Sequence, residues 1–330
     1  MKTLTKLMAA TAIASVSAVA VQADGHAEKW DMPMAYSASN FHSENGVKFA
    51  DCVREGTGGA IDITVHASGS LFAGADIKRA IQTGQVPIGE RLLSGHQNEN
   101  ALFGYDNVPF LATSFDEAEL LAKIARPSIE AVLADQNLTL LYSVPWPPQG
   151  LYFNKEVNAV ADMEGVKFRS YNNATSKFAE LTGMQPVTIE AAEISQAFAT
   201  GVAEAMISSG ATGYDRKVWE SLSHFYEVNS WLPRNSVMVN SDTWAGVSDD
   251  NKTAILACAE TAAADGLEAS KAYTQFTLDG LAAGGMTVGP ANDALVEELK
   301  VIGATMAEGW LEAAGEEGAA ILDSFKSMNN

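Results

Sequence analysis

The segment Asp162–Asn173, DMEGVKFRSYNN, carries the residue types best suited to holding a small anion. It reads as a tight turn, a short strand ending at Arg169, and a polar pair that opens a helix. An arginine at the carboxyl end of a strand, beside a helix start, stands where open α/β sheets receive their ligands. Its planar fork of donors matches one carboxylate through two parallel hydrogen bonds. Asn172 suits the helix N-cap, at a helix end that also favours anions. The bland alternative for Arg169 is a strand-end salt bridge, and for Asn172 the cap alone.

Other residues could share such a site. Tyr36 ends a first strand, and Glu90 and Arg91 sit near the end of another, although adjacent opposite charges often form only a surface ion pair. Trp146 and Tyr152 flank a proline-rich crossing and could line a gap between lobes or simply pack. Ser208 and Ser209 end a strand that would face the same crevice. Trp219, Trp231 and Trp244 read as core. Catalytic signatures are missing: there is no His-Glu-x-x-His, phosphate loop, Gly-x-Gly-x-x-Gly, Cys-x-x-Cys or Gly-x-Ser-x-Gly. The histidines His26, His42, His66, His96 and His224 are scattered without metal-ligand spacing. No enzyme, cofactor or metal is expected, although a triad assembled in space stays open.

The elements that must position these residues alternate in type. Trp30–Tyr36, Ile61–His66 and Val86–Leu93 read as strands, and His42–Glu55 and Ala75–Thr83 as helices, which argues for a mainly parallel α/β sheet. Phe115–Asp135 reads as a helix pair interrupted at Pro127, followed by a strand at Leu138–Val144. Pro145-Trp146-Pro147-Pro148-Gln149-Gly150 cannot continue a central strand and reads as a crossing between two lobes. A second α/β run spans Val166–Ser208, and the chain crosses back near Trp231–Val239. Ser248 and Asp249 cap a long helix to about Leu281, which at 1.5 Å per residue reaches roughly 45 Å and suits a brace between lobes. Helices near Asp293–Ala313 and Ala319–Met328 finish the chain.

Composition bounds the partners. Lys2 and Lys6 precede an apolar run from Leu7 to Val21, and Val21-Gln22-Ala23 suits a signal-peptidase cut before Asp24. Residues 1–23 thus read as a secretion signal, leaving about 307 of the 330 residues. Losing Lys2 and Lys6 and no acid takes the net charge from −20 to −22. Such a surface repels nucleic acid and anionic membrane, so an anion site must be a local positive pocket. Cys52 and Cys258 could form one bridge in an oxidising compartment or be two small buried side chains.

In the run Asn158–Arg169, and in Asn172, Gly183 and Gly201–Glu204 that follow it in order, the chain resembles the periplasmic substrate-binding proteins of TRAP transporters, the DctP family. The likeness runs from about Trp30 to Asp323. It is most specific over Asn158–Arg169, followed by Asn172, Gly183, Pro186-Val187, Glu193 and Gly201–Glu204. Thr57-Gly58-Gly59, Ala80–Gly84 and Val108-Pro109-Phe110 agree with it. The resemblance implies a two-lobed type II periplasmic-binding fold. Residues 24–146 with about 234–265 form lobe I, and residues 147–233 with about 266–330 form lobe II. It implies that Arg169 pairs with a ligand carboxylate, with Asn172 and Ser208 on one wall. It further implies delivery of a small organic acid to a permease of one small and one large membrane subunit.

Two departures bear on the ligand. Gln149 stands where relatives that bind larger acidic sugars carry a second arginine, and Ser208-Ser209 stands where many carry an asparagine. A modest monocarboxylate therefore fits better than a multiply charged acid. A periplasmic enzyme, a sensory receptor for a small carboxylate and an ABC-type receptor are the competing readings. A monomer is the default expectation.

Overall fold

The structure is a computed structural model, and it describes residues 27–329. The expected secretion signal, residues 1–23, lies outside the described residues. Three sheets form two α/β layers. Strands β1 (Glu28–Pro33) and β2 (Ile61–His66) pair in parallel, joined by helix α1 (Phe41–Gly56). Helix α2 (Ile77–Gln82) leads into β3 (Ile88–Leu92), which lies alongside β1. Helix α3 (Phe115–Ala134) then leads into β4 (Leu138–Pro145).

The second layer is a six-stranded sheet. Strand β5 (Gln149–Phe153) enters it directly after the proline-rich crossing. There follow β6 (Lys167–Ser170), α4 (Asn173–Leu181), β7 (Gln185–Thr188), α5 (Ile194–Ala199), β8 (Ala205–Ser209), α6 (Gly210–Asp215) and β9 (His224–Glu227). The chain returns as β10 (Arg234–Asn240), which completes the order β3-β10-β4 in the first layer. Short helix α7 (Ser241–Gly246) leads to α8 (Asp249–Ala283). Strand β11 (Thr287–Pro290) closes the second sheet in the order β11-β9-β5-β8-β6-β7, and α9 (Asp293–Met328) ends the chain.

The mainly parallel expectation holds only in part. Strands β6, β7 and β8 are parallel neighbours, but β10 runs antiparallel to both β3 and β4, and β5 antiparallel to β8 and β9. The reason is connectivity: each strand that returns after a crossing enters its new sheet from the opposite side. The break expected at Pro127 is also absent, and α3 runs through it. Pro127 faces solvent, so the carbonyl it leaves unpaired reaches water. Buried Leu121, Ala125, Ile129 and Leu133 hold the helix on either side, and a capping box of Ser114 and Glu117 starts it.

The long helix expected from Ser248 is present, with the Ser248 side chain accepting from the Asn251 N–H. At 1.5 Å per residue its 35 residues span about 52 Å. Its early residues Ile255, Cys258, Ala259 and Ala262 pack in the core around α1 and β1, whereas Leu278 and Leu281 pack against the second sheet. Helix α9 also touches both layers. Leu295, Leu299 and Met306 lie with the second-sheet core, and Trp310, Ile321, Leu322 and Phe325 with the core around α2 and α3. Gly315 takes φ 63° and breaks α9 at the gap expected between two terminal helices.

A disulfide joins Cys52 on α1 to Cys258 on α8, resolving the two alternatives the sequence leaves open. It closes a very long loop, so it restricts the unfolded chain strongly. Replacing both cysteines by serine is expected to lower unfolding stability by about 2–5 kcal/mol. Denaturant titration of the oxidised protein and the double variant checks this.

Candidate functional site

The two crossings between the layers run side by side. The Trp146 N–H donates to the Pro233 carbonyl at 2.8 Å, the Gln149 N–H to the Trp231 carbonyl at 3.0 Å, and the Ser230 N–H to the Gln149 carbonyl at 3.0 Å. Beside this ribbon lies a narrow cleft enclosing about 470 Å³ of empty space, the open mouth included. It is lined by Tyr36, Arg91 and Leu92 from the first layer, Trp146, Gln149 and Pro233 from the crossings, and Arg169, Tyr171, Glu190, Ala191, Ser208 and Thr212 from the second. Arg169, Glu190 and Ser208 lie at the carboxyl ends of parallel β6, β7 and β8, where such sheets open their crevice.

Arg169 is 4% exposed. Its Nε donates to the Ile189 carbonyl at 2.9 Å, and the Tyr171 ring lies 5.1 Å from its guanidinium carbon. Burial draws its pKa down to about 10, so it stays cationic at neutral pH. Among the described residues no carboxylate comes within ion-pair distance of it. Glu190 is near enough for its charge to act on Arg169 but makes no contact with it, so an incoming carboxylate would offset the cost of burying this cation.

The residues around Arg169 are fixed by their neighbours. The Trp231 indole N–H donates to the Tyr171 hydroxyl at 3.0 Å, and that hydroxyl reaches the Gln149 Oε1 at 3.5 Å. Gln149 Nε2 donates to the Pro147 carbonyl at 2.9 Å, which orients the amide. Trp146 donates to Asn235 Oδ1 at 2.8 Å and meets Tyr36 edge-on at 4.7 Å between ring centres. Burial pushes the Tyr36 phenol up to about 12, so it remains a neutral donor.

Of the ten residues singled out from the sequence, Arg169, Gln149, Ser208, Trp146, Tyr36 and Arg91 line this one cleft. The other four do not. Asn172 caps α4 by accepting from the Thr175 N–H. Its Nδ2 donates to Ser94 Oγ at 3.0 Å and Asn107 Oδ1 at 3.1 Å, tying the second layer to the first. Ser209 caps α6. Tyr152 is fully buried on β5, donating to the Ser209 carbonyl and packing on Phe225. Tyr36 lies three residues beyond β1 rather than at its end.

Glu90 and Arg91 do not pair with each other as a surface ion pair. Both are buried on β3, and neighbours in a strand face opposite ways. Glu90 accepts from Asn235 Nδ2 at 2.9 Å and faces His42. Arg91 faces the cleft, with Nη1 3.6 Å from Glu190 Oε2 and Nε donating to His96 Nε2 at 3.3 Å. His96 in turn donates from Nδ1 to Glu99 Oε1 at 2.8 Å, and Lys78 donates to Glu99 Oε2 at 2.5 Å. Tyr171 and Glu190 are the notable residues sequence reasoning passed over. Tyr171 lies within the singled-out segment, two residues past Arg169, so strand alternation could have flagged it.

Burial, reinforced by Arg91, lowers the His96 pKa to about 4. The ring is therefore neutral at pH 7, and its free Nε2 can accept from Arg91. The unfolded ring takes its proton near pH 6.5, so this site's contribution to stability is lost as pH falls from about 6.5 toward 4. Asp106, which burial raises to about 7, acts in the opposite direction over the same range. The sign is therefore read best at the ring itself. Assigned NMR titration is expected to show His96 unprotonated from pH 8 to pH 5, with protonation near pH 4.

The chain resembles known proteins over most of its length. The profile of the bacterial extracellular solute-binding proteins, family 7 (DctP), matches residues 34–309. A marine metagenome TRAP solute-binding protein specific for pyroglutamate, from an unidentified microbe, is 55% identical. The match covers 92% of this chain and 99% of that one, with a TM-score of 0.91. DctP6 of Bordetella pertussis, an extracytoplasmic solute receptor binding pyroglutamic acid, is 40% identical over 91% of this chain and 100% of its own, with a TM-score of 0.89. The ectoine-binding periplasmic protein TeaA of Halomonas elongata is 22% identical over 64% of this chain, and the match spans 62% of TeaA. With a family match across residues 34–309 and relatives at 55% and 40% identity, the chain belongs to the DctP family of bacterial extracellular solute-binding proteins.

Proposed function

We propose that this chain is the substrate-binding protein of a TRAP-type transporter and that its ligand is pyroglutamate or a close cyclic monocarboxylate. The observation that carries the reading is Arg169, a buried cation without an ion-pair partner among the described residues, facing a small cleft between the lobes. It takes the ligand carboxylate in a bidentate pair, stacked over Tyr171. Gln149 and Ser208 supply neutral polar contacts, and Trp146 and Tyr36 cover the ring. Two relatives at 55% and 40% identity bind pyroglutamate, a compact monoacid of the kind the Gln149 position favours.

Asn172 acts as a cross-cleft latch and Glu90 as a buried support for Asn235 and Trp146. Neither is a direct contact. The lobes divide at the paired crossings, Trp146–Gln149 and Ser230–Pro233. Helix α8 passes from one to the other. The end of α9, from about Trp310, moves with the first lobe because its apolar side chains pack there. The chain works in the periplasm, exported by its leader, and hands its ligand to the small and large permease subunits without catalysing a reaction.

Arg169→Ala is expected to weaken pyroglutamate binding by about 2–5 kcal/mol, as for loss of one partner from a buried charge pair. Isothermal titration of wild type and variant measures it, and unchanged affinity would remove Arg169 from the site. In a thermal-shift screen of small organic acids, a ligand at 100 times its Kd should stabilise the protein by about 2.7 kcal/mol. Pyroglutamate is expected to lead that screen, and recovery of the acid unaltered separates binding from catalysis.

A further inference from the structure

The cleft carries three formal charges, Arg91, Arg169 and Glu190. The two arginines are not equivalent. Arg91 already has Glu190 at 3.6 Å and gives its Nε to His96, whereas Arg169 has no such counter-ion among the described residues. The lining therefore sums to one positive charge and can neutralise one carboxylate. Glu190 stands on the loop after β7 and Arg91 on β3, so their pair spans the mouth from one lobe to the other.

Glu190 is also a spare acceptor. At 3.6 Å its contact with Arg91 is too long for a hydrogen bond, and its side chain keeps 35% of its surface open. Gly74 packs against the pair from the first lobe. A Cβ there would fall 2.9 Å from Glu190 Oε2 and 3.1 Å from Arg91 Nη1. The missing side chain leaves room for the two charged groups at the rim.

From this we infer that Glu190 is a specificity-determining residue. It accepts a hydrogen bond from an N–H carried next to the ligand's single carboxylate, and its charge turns away acids bearing a second carboxylate. A site built to receive a donor penalises analogues that lack it, and like charges set face to face supply rejection. The inference rests on the reading of Arg169 as the carboxylate partner, and the lactam N–H of pyroglutamate is a donor of the required kind.

The test is a set of Trp-fluorescence titrations of the full mature chain with three probes. These are pyroglutamate, cyclopentanecarboxylate (a ring without the N–H) and glutarate (a second carboxylate). The wild type is expected to prefer pyroglutamate over each of the others by at least tenfold. Glu190→Gln, which removes the charge and keeps the shape, should gain at least tenfold in glutarate affinity. Glu190→Leu, which removes the acceptor too, should also lose at least tenfold of the preference for pyroglutamate over cyclopentanecarboxylate. Gly74→Ala, which displaces the pair at constant charge, should erode the same preference. Unchanged ratios in the Glu190 variants, or wild-type binding of glutarate as tight as pyroglutamate, overturn the inference. Should the wild type bind no pyroglutamate, the ligand reading alone fails. Glutarate uptake by Glu190→Gln then supports the role of Glu190, and its absence refutes it.

Discussion

A guanidinium taken out of water needs an anion or a dense set of acceptors. Arg169 has one carbonyl acceptor and one aromatic face. Much of the second lobe bears on keeping that cation buried and correctly placed. Parallel β6, β7 and β8 bring Arg169, Glu190 and Ser208 to one edge. Tyr171 lies against the guanidinium and is itself held by Trp231. The ribbon of paired crossings positions Gln149 and Trp146 over the same cavity. The overall surface is strongly acidic, so this pocket is a local exception to the charge of the molecule.

The opposite wall works by relay. Arg91 reaches the cleft from a strand whose other face carries Glu90, and each is held by its own chain of contacts. Arg91 leans on His96, Glu99 and Lys78; Glu90 supports Asn235, which fixes Trp146. Two adjacent residues thus shape the site from opposite sides of one strand, one in contact with the cavity and one behind it.

Much of this was legible in the chain. A strand ending in arginine before a helix cap marked the crevice, because the carboxyl ends of parallel strands are where backbone and side chains converge. Proline density marked the crossing, and Ser248 marked the start of the bracing helix. What stayed hidden depended on distance in the sequence or on face. The meeting of Arg91 with Glu190 joins elements far apart in the chain, and no local pattern contains it. Tyr152 sat near the crossing but faces the core, which only strand register decides. Pro127 was misleading because an exposed proline can be carried by a helix whose buried side is continuous. The antiparallel entry of β5 and β10 follows from the crossings, which a one-dimensional reading located without orienting.

The disulfide between α1 and α8 has a mechanical consequence. It fastens α8 to the first lobe at Cys258, while Leu278 and Leu281 rest against the second. The stretch from Cys258 to Leu281 runs roughly 35 Å at 1.5 Å per residue, and along it Asn45 donates to the Ala262 carbonyl and Tyr273 packs on the first-lobe core. The covalent anchor therefore does more than resist unfolding: it makes the near half of α8 part of the first lobe and leaves the last turns to carry the contact with the second sheet.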